Sequence, residues 1–309
     1  MRSRLPKVVH EVAGRPMVAH VVRAARAAGA EPVVVVVGHG ADAVRAALEG
    51  APVRFAVQEE QRGTGHALAC AAPALAEHAG PVYVLNGDGP LLRAATLTRM
   101  AEAHAAPPAG GRGMTLVTAR TEDPTGLGRI VRGSGGDLTR IVEEADADAA
   151  TRAIREVNAG VYLLDASVWT RLAHLGSDNA QGEAYLTDLP GAYLADGAPV
   201  RTVAPDDPDD VLAANDREQL AHLERVARRR IASRWMREGV TLRSPETTVL
   251  DDDVELARDV VVEPFVLLRS GTRVGEAARI GAGAVLDACT VAGGAEVPPH
   301  TIARDRHFS

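Results

Sequence analysis

What the sequence has little of narrows its class first. In 309 residues there are two cysteines. Cys70 and Cys289 lie far apart and match neither a metal-binding nor a redox spacing, which excludes a disulfide scaffold and predicts two inert thiols in a reducing compartment. No run of about 20 apolar residues occurs, as a membrane-spanning helix would need. The opening Met1-Arg2-Ser3-Arg4 is followed by a polar-apolar mix without the apolar core of a secretory signal, so a cytoplasmic location is expected. Basic charge is in deficit: 34 Lys plus Arg stand against 41 Asp plus Glu, a formal charge of -7. The one dense basic run, Arg228 to Arg230, is too short to change this, so neither nucleic acid nor a membrane is expected as a partner. What remains, 46% hydrophobic and 24% charged residues, is a globular composition. At roughly 150 residues per domain, the length predicts two domains.

The first two thirds alternate short β-branched runs with helical patterns, as a βαβ sheet does. Residues 33–37 are a continuous apolar run, as in a parallel strand buried on both faces. Before it, Pro16 stands where a helix can begin, Met17, Val18, Val21 and Val22 give that helix an apolar face, and Gly29 ends it. Residues 53–58 and 82–85 read as further strands, and residues 64–78 and 94–105 as their companion helices. From residue 114 shorter strands follow, near residues 115–118, 129–131, 138–142 and 160–164. Such strands beside a parallel sheet form a lid over a substrate pocket. Residues 215–238 form a charged amphipathic helix, with Leu220, Leu223, Val226, Ile231 and Trp235 at helical spacing.

After that helix the period becomes six. Leu250, Leu256, Val262, Leu268, Val274, Ile280 and Leu286 recur at steps of six, and Val254, Val260, Val266 and Thr272 stand two places before their partners. Hexapeptide periodicity marks a parallel β-helix, in which one aliphatic side chain per flat face stacks into a continuous core. The register slips at Val291. At about 18 residues per turn, residues 250–302 give about three coils, and the exposed end coils make association through this domain plausible. The division expected is residues 1–214, a connecting helix over residues 215–238, and residues 239–309.

Two segments carry chemistry. Asp88, within Asn86-Gly87-Asp88-Gly89-Pro90, stands just past the C-terminal end of a strand, where doubly wound sheets bind ligands. A carboxylate there is a natural Mg²⁺ ligand, because magnesium prefers hard oxygen donors; a turn-forming Asp is the alternative. Gln58-Glu59-Glu60-Gln61-Arg62-Gly63-Thr64-Gly65-His66-Ala67 is a strand end, a glycine-bearing loop and a helix start. Its glycines let backbone approach a ligand, and its exposed N-H groups favour anions or a base edge. His66 reads equally as structural or catalytic.

Together with Leu5-Pro6-Lys7-Val8-Val9-His10 and Ala13-Gly14-Arg15-Pro16-Met17, these segments resemble the sugar-nucleotide pyrophosphorylases. The series continues through Asp123-Pro124-Thr125-Gly126-Leu127-Gly128-Arg129-Ile130, Ile141-Val142-Glu143, Asn158-Ala159-Gly160 and residues 179–188, Asn-Ala-Gln-Gly-Glu-Ala-Tyr-Leu-Thr-Asp. It is similar to the bacterial bifunctional N-acetylglucosamine-1-phosphate uridylyltransferase/glucosamine-1-phosphate acetyltransferase family over nearly the whole chain. The resemblance implies an α/β fold: a Rossmann-like nucleotidyltransferase domain, a connecting helix and a short left-handed parallel β-helix. It implies uridylyl transfer from UTP to N-acetylglucosamine 1-phosphate with release of pyrophosphate, a step towards cell-wall precursors. Catalysis of that kind is mostly positioning and charge neutralisation. By position, Asp88 and Asn215 would hold Mg²⁺ and Lys7 would neutralise phosphate charge. Gln58, Gly63 and Thr64 would read the uracil, and Gly128, Glu143, Asn158, Tyr185 and Thr187 would hold the sugar. A homotrimer is the expected form of the association through the β-helix. Each residue keeps a plainer alternative: Lys7 and Glu143 as solvated charges, Asn158 as a turn former, Asn215 as a helix cap, Tyr185 as core.

Two features depart from the family pattern. Met1 aligns with the last Met of the signature Leu-x-Ala-Gly-x-Gly-Thr-Arg-Met, so the first strand and phosphate loop are expected from a start upstream, with a truncated, non-catalytic sugar-nucleotide-binding or scaffold homologue as the rival. The β-helix is too short for the family's second site, so acetyl transfer is not expected. Ala159 and Asn86, where the family differs, leave another sugar or nucleotide open.

Overall fold

The computed structural model describes residues 1–107, 111–176 and 179–309. It divides into two compact units. One comprises Met1–Arg2, His10–Met17 and Ala213–Ser309, and the other Ser3–Val9 and Val18–Leu212.

The larger unit is α/β. Its main sheet runs in the order Val200–Val203, Met114–Arg120, Glu156–Leu164, Arg129–Arg132, Leu138–Val142, with Val82–Leu85 paired to Glu156–Leu164. A separate parallel pair joins Val34–Val37 to Arg54–Val57. The main sheet is mixed, because the long strand Glu156–Leu164 runs antiparallel to both Val82–Leu85 and Met114–Arg120. That strand begins four residues earlier than its apolar run, and five consecutive residues at its end, Gly160 to Leu164, are buried. Val200–Val203, not anticipated, adds a parallel edge beside Met114–Arg120.

Local chemistry explains where the elements stop. The Met17–Ala27 helix buries Val18, Val21 and Val22, and its last turn closes where Gly29 takes φ +83°, a conformation that costs glycine little. Pro16 lies just outside it, paired with Glu11 in a short hairpin. The α-helix over Thr64–Ala71 tightens into a 3₁₀ turn at Ala72–Leu75, where Pro73 cannot donate a backbone hydrogen bond. Ala94–Ala105 is helical throughout and buries Leu97 and Met100 against Val117, Val161 and Leu163. Its start is pinned by Asp210, which is fully buried and accepts from Arg93 Nε at 2.7 Å and Thr96 Oγ1 at 2.6 Å.

In the other unit the six-residue period folds as expected, into a short left-handed parallel β-helix of three four-stranded sheets. Strands pair eighteen residues apart, as Val249 with Leu267 and Leu267 with Val285. Past Leu286 the step falls to seventeen, as Arg273 with Thr290, which is the slip seen at Val291. Four rungs form rather than three, because Thr241–Leu242 starts the stack and His307–Phe308 ends it. Val260, Val262, Val266, Leu268, Ile280, Leu286 and Val297 are fully buried. Cys289 takes the small inner position and is 1% exposed. The Arg217–Arg237 helix belongs to this unit, burying Leu223, Val226, Ile231 and Trp235. Its cap is Asp216, whose carboxylate accepts from Gln219 N at 2.8 Å, not Asn215.

A hairpin from the N-terminal region, Glu11–Val12 with Arg15–Pro16, also belongs here. Its turn residues Ala13 and Gly14 both have positive φ, the geometry of a tight two-residue loop. Ala13 N donates to Glu224 Oε2 at 2.7 Å, Ala13 O accepts from Asp252 N at 2.9 Å, and Arg15 pairs with Asp252 at 3.0 Å.

Candidate functional site

The residues singled out in the larger unit gather into three groups, each built by a strand end or the loop after it. The first is an ion pair. Lys7, on a 3₁₀ turn over Lys7–Val9, places Nζ 2.5 Å from Asp88 Oδ2, with Asp88 the more buried partner. Asp88 follows the Val82–Leu85 strand, and a side chain at Gly87 would press on Val8 at 3.3 Å. The structure thus joins a cation and a carboxylate that the sequence places eighty residues apart. Lys7 is also the only lysine in the chain, where every other basic side chain of this kind is arginine. A compact ammonium and a planar guanidinium are not interchangeable at such a contact.

The second group is the loop after Arg54–Val57. Gln58 donates from Nε2 to Gly63 O at 3.1 Å, and the same nitrogen lies 3.1 Å from His66 Nδ1. A cleft of about 460 Å³, within the range for small-molecule sites, is lined by Gly38, His39, Val57, Gln58, Glu59 and Gln61. Of these, Gly38 and His39 follow the neighbouring Val34–Val37 strand and are not among the residues singled out from the sequence. Gly63 has φ +100°, and a Cβ there would meet Ala184 O at 2.6 Å, so glycine is required on both counts.

The third group holds Gly128, Glu143, Asn158, Tyr185 and Thr187. Thr187 Oγ1 donates to Glu143 Oε1 at 2.9 Å. Burial, with Asp146 and Asp188 nearby, pushes the Glu143 carboxyl above its ordinary range. Gly128 leaves the space beside it, for a Cβ there would lie 3.5 Å from both Glu143 carboxylate oxygens. Asn158 N donates to Gly128 O at 2.8 Å. The Asn158 side chain, inside the Glu156–Leu164 strand, is largely committed: Nδ2 donates to Tyr162 Oη at 2.5 Å and Oδ1 accepts from Gly160 N at 3.1 Å. Tyr185 is buried, and burial and the surrounding carboxylates raise its phenol above the ordinary range.

The second and third groups are stitched together. Gly65 N donates to Ala184 O at 2.8 Å, Ala184 N to Arg62 O at 2.9 Å, and Leu186 N to Thr64 Oγ1 at 3.0 Å. Thr64 is therefore a structural acceptor as well as a candidate base contact. Asn215 lies in the other unit, exposed, with its backbone N-H donating to Gln219 Oε1 at 2.6 Å. Among the described residues no group of three or more His, Cys, Asp or Glu is arranged to hold a metal ion. Asp88 still fits magnesium, which uses one or two carboxylates and keeps water and substrate phosphate as its other ligands. No helix among the described residues is long and apolar enough to cross a membrane.

Residues 1–242 match the family model described as a MobA-like NTP transferase domain. The chain is 48% identical over 307 residues to the bifunctional protein GlmU of Anaeromyxobacter sp. (strain Fw109-5), covering 98% of this chain and 62% of that protein. It is 44% identical to the protein of that name from Pelobacter propionicus, over 94% of this chain and 63% of the relative, and 47% identical to that from Kineococcus radiotolerans, over 96% and 60%. The chain thus spans a little over three fifths of the length of these curated relatives.

Proposed function

Because the chain belongs to the MobA-like NTP transferase family, we propose that it transfers the uridylyl group of UTP to N-acetylglucosamine 1-phosphate, releasing pyrophosphate, as a cytoplasmic step towards cell-envelope precursors. The observation that carries this reading is the stitching of the Gln58–Gly63 loop to residues 184–187. It joins the Gln58 loop and the Glu143 carboxylate in one scaffold, which supports a shared site for a base and a sugar.

In the reaction a phosphate oxygen of the sugar 1-phosphate attacks the α-phosphorus of UTP in line. The new P–O bond forms as the bond to the β-phosphate breaks, and the electron pair leaves with pyrophosphate. The attacking oxygen is already anionic, so no general base is needed, and the protein positions its substrates and neutralises their charge. Gln58 and the Gly63 backbone hold the uracil edge. Glu143, kept in place by Thr187, accepts from sugar hydroxyls, since a carboxylate offers only acceptors. Tyr185 walls that pocket, Gly128 leaves it open, and Asn158 contributes its uncommitted amide hydrogen. Lys7 offsets charge on the phosphates and holds Asp88 at the strand end. Mg²⁺ held by Asp88 would supply further charge neutralisation on the triphosphate; Asn215 is the second ligand implied by the resemblance. A homotrimer formed through the β-helix is part of the same proposal.

The test is calorimetric binding of UDP-N-acetylglucosamine against UDP-glucose. The proposal expects binding that prefers the N-acetyl sugar and is lost in Glu143→Ala. Equal binding of both sugars would redirect it to another sugar nucleotide, and no binding would refute it.

A further inference from the structure

We propose that His66 is a positioning residue that sets which bases the Gln58 pocket accepts, by consuming the second hydrogen of the Gln58 amide so that only an acceptor faces the base. The inference rests on the nucleotide reading of that pocket. The Gln58 amide nitrogen lies 3.1 Å from Gly63 O and 3.1 Å from His66 Nδ1. A backbone carbonyl can only accept, which fixes the amide with its nitrogen towards Gly63. One of its two hydrogens goes to that carbonyl, and the other points at His66 Nδ1. That ring nitrogen must then be the unprotonated one.

The ring proton belongs on Nε2, and the surroundings agree. Nε2 lies 3.8 Å from Cys70 Sγ, a weak acceptor four residues further along the same helix. Gly63, His66 and Cys70 together leave Gln58 one group for a ligand, the acceptor Oε1. His66 itself does not line the cleft, whereas Gln58 does.

The consequence is a choice between pyrimidines. Uracil presents an N-H at N3, which an acceptor can meet. Cytosine presents a bare nitrogen at the same place, and two acceptors would face each other without a hydrogen. Sites built to hydrogen-bond a group reject analogues lacking it, by factors that reach about 10⁴ to 10⁵.

The experiment measures binding of UMP and CMP by calorimetry to the wild-type chain and to His66→Phe and His66→Asn. Phe fills the ring's space without an acceptor and frees an amide hydrogen. Asn places Oδ1 near the position of Nδ1 and keeps the acceptor. The expected result is a wild-type preference for UMP that falls by about tenfold or more in His66→Phe and is retained in His66→Asn. An unchanged ratio in His66→Phe, or the same loss in both variants, overturns the proposal, because a purely structural histidine would weaken both nucleotides together. Failure of the wild-type chain to bind either nucleotide refutes the pocket reading itself, and the proposal with it, before any substitution is examined. Nitrogen NMR of the wild-type imidazole gives a readout independent of variant folding: a bare Nδ1 is expected, and a protonated Nδ1 with a bare Nε2 overturns the proposal.

Discussion

Leu186 N donates to Thr64 Oγ1 at 3.0 Å, so the backbone between Tyr185 and Thr187 is held by the first residue of the helix that follows the base loop. That hydroxyl helps couple the two halves of the proposed sugar-nucleotide pocket. Thr64→Val removes the acceptor and leaves the N-H of the buried Leu186 unmet, a loss of about 1 kcal/mol. Steady-state kinetics are expected to show KM rising for both UTP and the sugar phosphate, with Thr64→Ser close to wild type. A rise confined to UTP would mean that Thr64 serves the base alone.

If Glu143 accepts from a sugar hydroxyl as proposed, it sets an acid limb in the pH profile. Burial, Asp146 and Asp188 raise its carboxyl above the ordinary value of 4.5. As pH falls through that raised value the carboxylate takes up a proton and stops accepting from one sugar hydroxyl. The kcat/KM profile is therefore expected to fall on the acid side at a higher pH than an ordinary glutamate would set, and Glu143→Gln to lose that limb. The stability sign is opposite: a carboxyl with a raised folded pKa stabilises the fold at low pH and loses that contribution as pH rises through the folded value. Glu143→Gln should flatten this dependence in denaturant unfolding followed upward from the ordinary glutamate value.

Gly63 is tested by contrast. Gly63→Ala places a Cβ 2.6 Å from Ala184 O and imposes a φ of +100° on alanine. About 1–3 kcal/mol of backbone strain is expected from the conformation alone. Gly182→Ala, also at positive φ but with nothing within 4 Å of the added atom, isolates the steric part. Melting temperatures should fall further for Gly63→Ala, and nucleotide binding should fail only there.

Lys7 and Asp88 should behave as one device. Lys7→Ala removes the cation 2.5 Å from the Asp88 carboxylate, and kcat should drop by about 10²-fold or more, as when a donor that stabilises developing charge is lost. Lys7→Arg restores the charge but not the compact shape, and is expected to recover only part of the rate. Full recovery would reduce Lys7 to a generic counter-charge.

Much of the fold is legible because its signals are local and repeated. The six-residue period marks out the β-helix stack, down to the slip at Val291, since each rung repeats one requirement, an aliphatic residue facing the axis. Val82–Leu85 and Ala94–Ala105 stand where their apolar patterns end. The hairpin at residues 11–16 is not legible, because its partners Glu224 and Asp252 lie more than two hundred residues away and nothing near it signals them. Val200–Val203 is missed for a similar reason: alternating with Arg201 and Thr202, it becomes a strand only beside Met114–Arg120. In the site, residue types and order point to the Gln58 loop and to Asp88. The contacts among Thr64, Ala184 and Leu186, and the commitment of the Asn158 oxygen to Gly160 N, depend on backbone geometry that a sequence does not display.

The β-helix core offers a stability control remote from the chemistry. Leu268 is fully buried in the middle of its stack. Leu268→Ala is expected to cost about 2–5 kcal/mol, read by denaturant unfolding, while UMP binding per folded molecule stays unchanged. Loss of binding in folded protein would contradict this.

The central claim, uridylyl transfer to N-acetylglucosamine 1-phosphate, is tested most directly by Mg²⁺-dependent release of pyrophosphate from UTP. The assay compares N-acetylglucosamine 1-phosphate with glucose 1-phosphate, and UTP with dTTP. Release with UTP and the N-acetyl sugar, abolished in Asp88→Asn, is the predicted result. A folded protein that binds UDP-N-acetylglucosamine yet releases no pyrophosphate with any pair would contradict the claim and leave a sugar-nucleotide-binding role.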